Sequence, residues 1–203
     1  MQEKYIVFTG RPNAGKSSLV KELTGLNIAT GKRPGTTRKV TKYPLNDDLV
    51  LIDLPGLGKM SRASKQLEEK VNQQIIEFLE SNAKNIILAI EVLDITTFLE
   101  VTWRLENKGI MSVDVEMVKF LEKILEEYPL IAANKIDKTD RKELEINMNE
   151  FSDRISNGYP TKVEKKIFPI SVKKRTGLGE LKSTIHTILV EKGYKTPFKI
   201  KTQ

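Results

Sequence analysis

The chain has 203 residues, 39% hydrophobic and 30% charged, with a formal net charge of +7, which suits one domain with a sizeable core and a small appendage at most. It has no cysteine and one histidine, His186, which excludes disulfides, thiolate metal sites and cysteine nucleophiles, and leaves a two-histidine metal site or a Ser/His triad poorly supported. The apolar runs at 86–90 and 130–133 are too short to cross a bilayer, and Gln2, Glu3 and Lys4 stand where a signal peptide would be apolar, so cytoplasmic residence is expected.

The apolar run Tyr5, Ile6, Val7 and Phe8 predicts a first strand over 4–9. It leads into Gly10, Arg11, Pro12, Asn13, Ala14, Gly15, Lys16, Ser17 and Ser18, which fits G-x-x-x-x-G-K-[ST]. Glycines let successive backbone N–H groups converge on a phosphate, because no Cβ blocks the approach. Lys16 can then reach the β- and γ-phosphate oxygens, and the Ser17 hydroxyl can ligate Mg²⁺. A helix over 16–24, with Leu19, Val20 and Leu23 on one side, points its positive end at the same anion. The simpler reading is a glycine turn before a helix, so the motifs downstream decide.

Residues 27–37 read as a mobile Gly/Pro/Thr loop holding Pro34, Gly35, Thr36 and Thr37, followed by Arg38 and Lys39. A Thr37 hydroxyl, or alternatively that of Thr36, can complete a Mg²⁺ shell when a γ-phosphate is present and release when it is gone. A strand over 38–44 and another over 49–54 flank the Asn46-Asp47-Asp48 turn and should be antiparallel. The second ends in Asp53, Leu54, Pro55 and Gly56, where the carboxylate can hold Mg²⁺ through a water and the Gly56 N–H can donate to a γ-phosphate oxygen. D-x-x-G alone says almost nothing; behind a phosphate loop, at the end of a hairpin strand, it is strong.

A second irregular loop, 55–63, precedes a helix over 64–81 with Leu67, Val71, Ile75, Phe78 and Leu79 at helical spacing. A continuously apolar strand over 85–93 follows, as expected of one buried on both faces. A short helix carrying Trp103 spans 95–108, and Ser112 should cap the next helix, whose inner face holds Val118, Leu121, Ile124 or Leu125, and Tyr128. The strand over 130–134 ends in Asn134, Lys135, Ile136 and Asp137. The Asp137 carboxylate can accept two hydrogen bonds from guanine; adenine offers neither donor and would leave a desolvated carboxylate unpaired. The Lys135 stem can cover the purine face, and the Asn134 amide can tie this loop to the phosphate loop. A helix over 141–157 should bury Leu144, Met148, Phe151 and Ile155. After a sixth strand at 166–170, a backbone N–H within Ser171, Val172 and Lys173 can meet guanine O6. The last helix, 178–192, turns Leu181, Ile185 and Ile188 inward.

Alternating strands and helices imply a P-loop α/β sandwich: a six-stranded, mostly parallel sheet with one antiparallel strand and helices on both faces. Ligands of such sheets sit at the carboxyl ends of the strands, which places every motif on one rim.

The basic residues cluster. Lys32, Arg33, Arg38, Lys39 and Lys42 lie in 29–43 without an acid, and Lys162, Lys165, Lys166, Lys173, Lys174 and Arg175 crowd another stretch. They read either as solvated faces that partly neutralise phosphates or as a footprint for a polyanion such as RNA.

On GRPNAGKSS, GKRPGTTR, DLPGLG, NKID and the final SVK, the chain resembles the translation-factor class of GTPases and, within it, the EngB-type ribosome-associated GTPases, above all the archaeal members. The resemblance spans about residues 5–190. It implies GTP or GDP binding with Mg²⁺, held by Ser17, Thr37 and, through water, Asp53. Lys16, Thr37 and Gly56 would serve hydrolysis. In bacterial relatives it also implies maturation of the large ribosomal subunit, long described as a requirement for cell division and septation. A monomer is expected, with residues 1–193 as the GTP-binding domain, 194–203 as a short basic tail, ribosomal RNA or ribosomal proteins as partners, and no membrane partner.

Leu57 follows Gly56, so the glutamine that orients water in Ras-like enzymes is absent, and the expected intrinsic hydrolysis is slow. Asn13 either ligates K⁺ in place of an arginine or merely stabilises its loop. Two other readings remain: an ATP-dependent small-molecule kinase, which leaves NKID unexplained, and a GTP-dependent membrane or septum adaptor, for which the tail is short and weakly apolar. His186 is expected to be exposed, Trp103 to pack, and Glu91 and Asp94 to be structural.

Overall fold

The computed structural model describes residues 3–26, 28, 39–58, 64–156, 158 and 163–195. Six strands form one sheet in the order β2-β3-β1-β4-β5-β6. They are β1 (Lys4–Thr9), β2 (Thr41–Pro44), β3 (Leu49–Asp53), β4 (Ile86–Asp94), β5 (Leu130–Asn134) and β6 (Ile167–Pro169). Within this sheet β2 and β3 pair antiparallel, and the other described strand neighbours are parallel. The Asn46 side chain makes the hairpin, its Oδ1 accepting from the N–H groups of Asp48 and Leu49.

The longer helices among the described residues are α1 (Lys16–Thr24), α2 (Lys65–Asn82), α3 (Phe98–Glu106), α4 (Val113–Leu125), α5 (Arg141–Ile155) and α6 (Leu178–Glu191). Strand alternation divides the core. Ile6, Phe8, Leu49 and Leu51 meet α1 and α6 on one face, while Tyr5, Val7, Val50 and Ile52 meet α2 and α4 on the other. A third cluster joins Ile131 and Ala133 to α4 and α5, with Phe98 edge-on to Phe151 at 5.0 Å between ring centroids.

Several local expectations need correction. β2 begins at Thr41, so Lys39 and Val40 lie outside it. Ser112 takes the N-cap position of α4, but its buried hydroxyl makes no capping bond. Asp140 does cap α5, accepting from the Glu143 N–H at 2.9 Å. Leu67 is exposed on α2, whereas Val71, Ile75 and Leu79 of the same helix are buried against the sheet. On α6 it is Leu189, with Leu181 and Ile185, that is fully buried, and Ile188 packs at the margin. Trp103 is 58% exposed rather than packed, since α3 turns Phe98 and Thr102 inward. His186 is half-buried, its Nδ1 sealed without a hydrogen-bond partner among the described residues. Tyr194 packs against the α1–α6 cluster, and the Asn46 amide donates to the Lys195 carbonyl. No helix among the described residues is long and apolar enough to cross a membrane.

Candidate functional site

The parallel register sets several strand ends at one level: Phe8 beside Asp53, Thr9 beside Glu91, and Asp94 beside Asn134. The segments that leave these ends therefore meet on one rim. The first runs from β1 to α1. Gly15, at φ +105°, occupies the N-cap of α1 and supplies no side-chain cap, so the first-turn N–H groups stay available to an anion. A Cβ on Gly15 would lie 2.2 Å from Asn134 Nδ2, so the close approach of these two loops requires glycine.

Lys16 is buried with its Nζ 4.0 Å from Asp53 Oδ1. Burial pulls the Lys16 pKa down against the attraction of Asp53 and Glu91. Burial likewise pushes the Asp53 carboxyl up, opposed by Lys16 and by the Ser17 hydroxyl, which donates to Oδ2 at 2.7 Å. Asp53 Oδ1 is sealed without a hydrogen-bond partner among the described residues. A hydroxyl and a carboxylate side by side, with a lone oxygen to spare, form the hard-oxygen donor set that suits Mg²⁺.

Past β3, Leu54 and Pro55 are buried and Gly56 presses on the first loop. A Cβ on Gly56 would meet Pro12 N at 2.5 Å, so no other residue fits there. The Leu57 N–H donates to the Gly10 carbonyl at 3.1 Å.

The second half of the rim is a cleft of about 480 Å³ lined by Asn13, Gly15, Ser18, Asn134, Lys135, Asp137, Lys138, Val172 and Lys173. Asn134 ties it together. Its Nδ2 donates to the Ala14 carbonyl at 2.8 Å, and its Oδ1 accepts from the Val172 N–H at 3.1 Å. Ser171 Oγ donates to Asp137 Oδ1 at 2.5 Å and accepts from the Lys174 N–H at 3.0 Å. That hydroxyl is the main reason the Asp137 pKa lies below the ordinary value. The ionised, accepting form of Asp137 is thus favoured. Lys135 Nζ meets Asp94 Oδ2 at 2.5 Å, and the Thr96 hydroxyl holds the other oxygen at 2.7 Å. The Ile136 N–H goes to the Ile170 carbonyl at 3.2 Å.

The sequence-predicted site residues thus fall into three groups. Those of the loops at 10–18, 53–56, 134–137 and 171–173 converge on the rim. Within them the Arg11 side chain turns to α4, and the Ala14 and Leu54 side chains pack into the core. Gly35, Thr36, Thr37 and Arg38 lie outside the described residues, and Lys39 borders a groove against α2 rather than the cleft.

Three contacts were invisible to motif reasoning. Arg11 Nε lies 2.7 Å from Asp114 Oδ2, the carboxyl being wholly buried in the first turn of α4. Thr9 Oγ1 donates to buried Glu91. Asp94, read only as structural, grips Lys135. Their one signal was the oddity of a Glu inside an apolar strand.

This arrangement is that of the P-loop GTPases: a phosphate loop opening one helix, and a separate Asn-Lys-x-Asp loop holding the base side of the same rim. Comparison with known proteins refines the class. The family described as 50S ribosome-binding GTPase matches residues 5–135. The probable GTP-binding protein EngB of Methanococcus maripaludis is 38% identical over 150 residues, a match covering 74% of this chain and 64% of that one. Its counterpart in Methanopyrus kandleri is 37% identical over 192 residues, covering 93% and 94%. The crystal structure of a probable GTP-binding protein engB matches at TM-score 0.82 and 34% identity, covering 92% of this chain and 99% of that one. The chain belongs to the EngB family of GTPases, and GTP hydrolysis is the family's activity.

Proposed function

We propose that the chain is a Mg²⁺-dependent GTP switch acting in assembly of the large ribosomal subunit. The observation that carries the nucleotide reading is the Asn134 side chain, which locks the phosphate loop, the Asp137 loop and the 171–174 loop into one cradle. In that cradle the amides of residues 13–18 and the Lys16 ammonium take the phosphates, and Gly56 N–H takes a γ-phosphate oxygen. Asp137 accepts from guanine, Lys135 covers its face, and a backbone N–H of 171–173 meets O6. Ser17, Thr37 and, through water, Asp53 hold Mg²⁺, which neutralises charge on the phosphates. With Leu57 after Gly56, this chain positions no glutamine for water attack, so unstimulated turnover is below about 1 s⁻¹. Asn13 is exposed at φ +66° on the cleft wall, where a K⁺ ligand would stand; replacing KCl by NaCl then slows hydrolysis, and equal rates remove the idea.

The ribosomal part of the reading is supported by the family's description and by the basic residues Lys173 and Lys174, which are exposed in the loop beside the base loop. We read residues 1–193 as the GTP-binding domain, 194–203 as its tail, and the protein as a cytoplasmic monomer. Calorimetry with GDP and ADP in Mg²⁺ tests the site: GDP heat without ADP heat is expected, and equal binding sinks the guanine assignment. Co-sedimentation with large ribosomal subunits, falling as salt rises, tests the partner; its absence in the GTP state would remove it.

A further inference from the structure

The phosphate loop and α4 are joined by a buried charge pair that no step above employs. Asp114 has no exposed surface, and Arg11, at 2.7 Å, supplies the opposite charge at that contact. At that distance the contact is a close charge-assisted pair, and the Arg11 guanidinium opposes the burial that pushes the Asp114 pKa up. Between the two ends of the pair runs the segment that carries Gly56. Gly56 presses on Pro12, the residue after Arg11. Gly58 lies against Val113, the residue before Asp114, at 3.4 Å from a Cβ built on it to Val113 Cγ2. Leu57 between them bonds its N–H to Gly10. The segment 56–58 therefore occupies a slot with the phosphate loop as one wall and the start of α4 as the other.

We propose that the Arg11–Asp114 pair is a positioning element that sets the width of this slot, and thereby the ability of the site to tell a nucleoside triphosphate from a diphosphate. The inference rests on the GTP reading above for its ligand. The terminal phosphate is the one group the two nucleotides do not share, and the Gly56 N–H is the donor assigned to it. The groups for the α- and β-phosphates and the base are held independently, by the α1 N-terminus and by the Asn134 bridge. Widening the slot moves Gly56 away from a γ-phosphate and leaves those contacts in place. Asp114 is a positioning residue here, since it reaches the nucleotide only through the 56–58 segment.

The test compares Asp114→Asn, which removes the charge, with Asp114→Glu, which keeps it. In Asp114→Asn, affinity for a non-hydrolysable GTP analogue should fall about tenfold relative to GDP, the effect of losing one charge-assisted hydrogen bond, with kcat reduced in step. Asp114→Glu should recover part of that ratio. Asp114→Ala stands in if the asparagine variant does not fold. Equal loss for GDP and the analogue, or an unchanged ratio, overturns the proposal. Hydrogen exchange of the nucleotide-free protein separates this failure from failure of the GTP reading. The Leu57 amide should exchange about tenfold faster in Asp114→Asn while β1 amides stay protected. Unchanged Leu57 protection overturns the proposal whatever the protein binds, whereas a parent chain that fails to bind GDP overturns only the GTP reading.

Discussion

Asn134 and Ala14 are 120 positions apart in the chain, yet a 2.8 Å hydrogen bond joins the side-chain amide of one to the carbonyl of the other. The other end of the same amide accepts from Val172. One buried side chain thus fixes three loops that no strand pairing connects directly. Asn134→Ala would leave the Ala14 carbonyl and the Val172 N–H without their partner, at about 1–3 kcal/mol for each buried group that stays unsatisfied. Because both halves of the cradle loosen together, GDP and GTP affinities should fall in parallel by about 10–100-fold. Calorimetry reads this directly, and undiminished affinity for either nucleotide would remove Asn134 from the role.

Asp137 carries base selection. Its carboxylate is held ionised and oriented by the Ser171 hydroxyl. Replacing it by Asn keeps size and removes the acceptor pair. GDP affinity should drop about 100-fold or more, since two charge-assisted bonds are lost. Xanthosine diphosphate, with a carbonyl where guanine has an amine, should gain in the same variant, because Asn offers an N–H. A competition assay with both nucleotides decides it. The lowered Asp137 pKa also fixes a pH expectation: the carboxylate stays charged well below pH 5, so GDP affinity should not decline through Asp137 between pH 8 and pH 5.

Ser17 and Asp53 share a 2.7 Å hydrogen bond, and the second Asp53 oxygen has no such partner among the described residues. If this pair holds Mg²⁺, Ser17→Ala should uncouple nucleotide affinity from the metal. Chelation by EDTA should weaken GTP binding to the parent by about tenfold or more and change that of Ser17→Ala by less than about twofold. Equal sensitivity in both proteins would place the metal elsewhere.

Much of the fold was legible because its signals are local. The apolar runs of β1, β4 and β5, the glycine-capped start of α1 and the Asn46 turn each carry their own chemistry, and alternation fixes the parallel order. The motifs placed the rim because strand ends share a level in a parallel sheet. What escaped was tertiary. Asp114 reads as an ordinary acidic residue in a first helical turn, and only the crossing of α4 beneath the phosphate loop turns it toward Arg11. Trp103 looks like core in composition, but α3 shows solvent the face that carries it. The Lys135–Asp94 contact depends on β4–β5 register, which a single sequence does not display.

Glu91 gives the last prediction, one about stability. It is fully buried in β4 and receives the Thr9 hydroxyl. Burial, and next the nearby Asp114 carboxyl, push its pKa well above the ordinary 4.5, against the pull of Thr9, Lys16 and Arg11. A carboxyl with a raised folded-state pKa binds its proton more tightly when folded. Its contribution to stability is therefore full below about pH 4.5 and is lost as pH rises through the raised value. Glu91→Gln keeps the shape, keeps an oxygen for Thr9 and removes the titration. Its melting temperature, relative to the parent, should therefore rise as pH climbs from about 5 and level off once pH passes the raised value. A difference independent of pH over that range would mean that Glu91 is ionised in the fold throughout, with Arg11 and Lys16 outweighing burial.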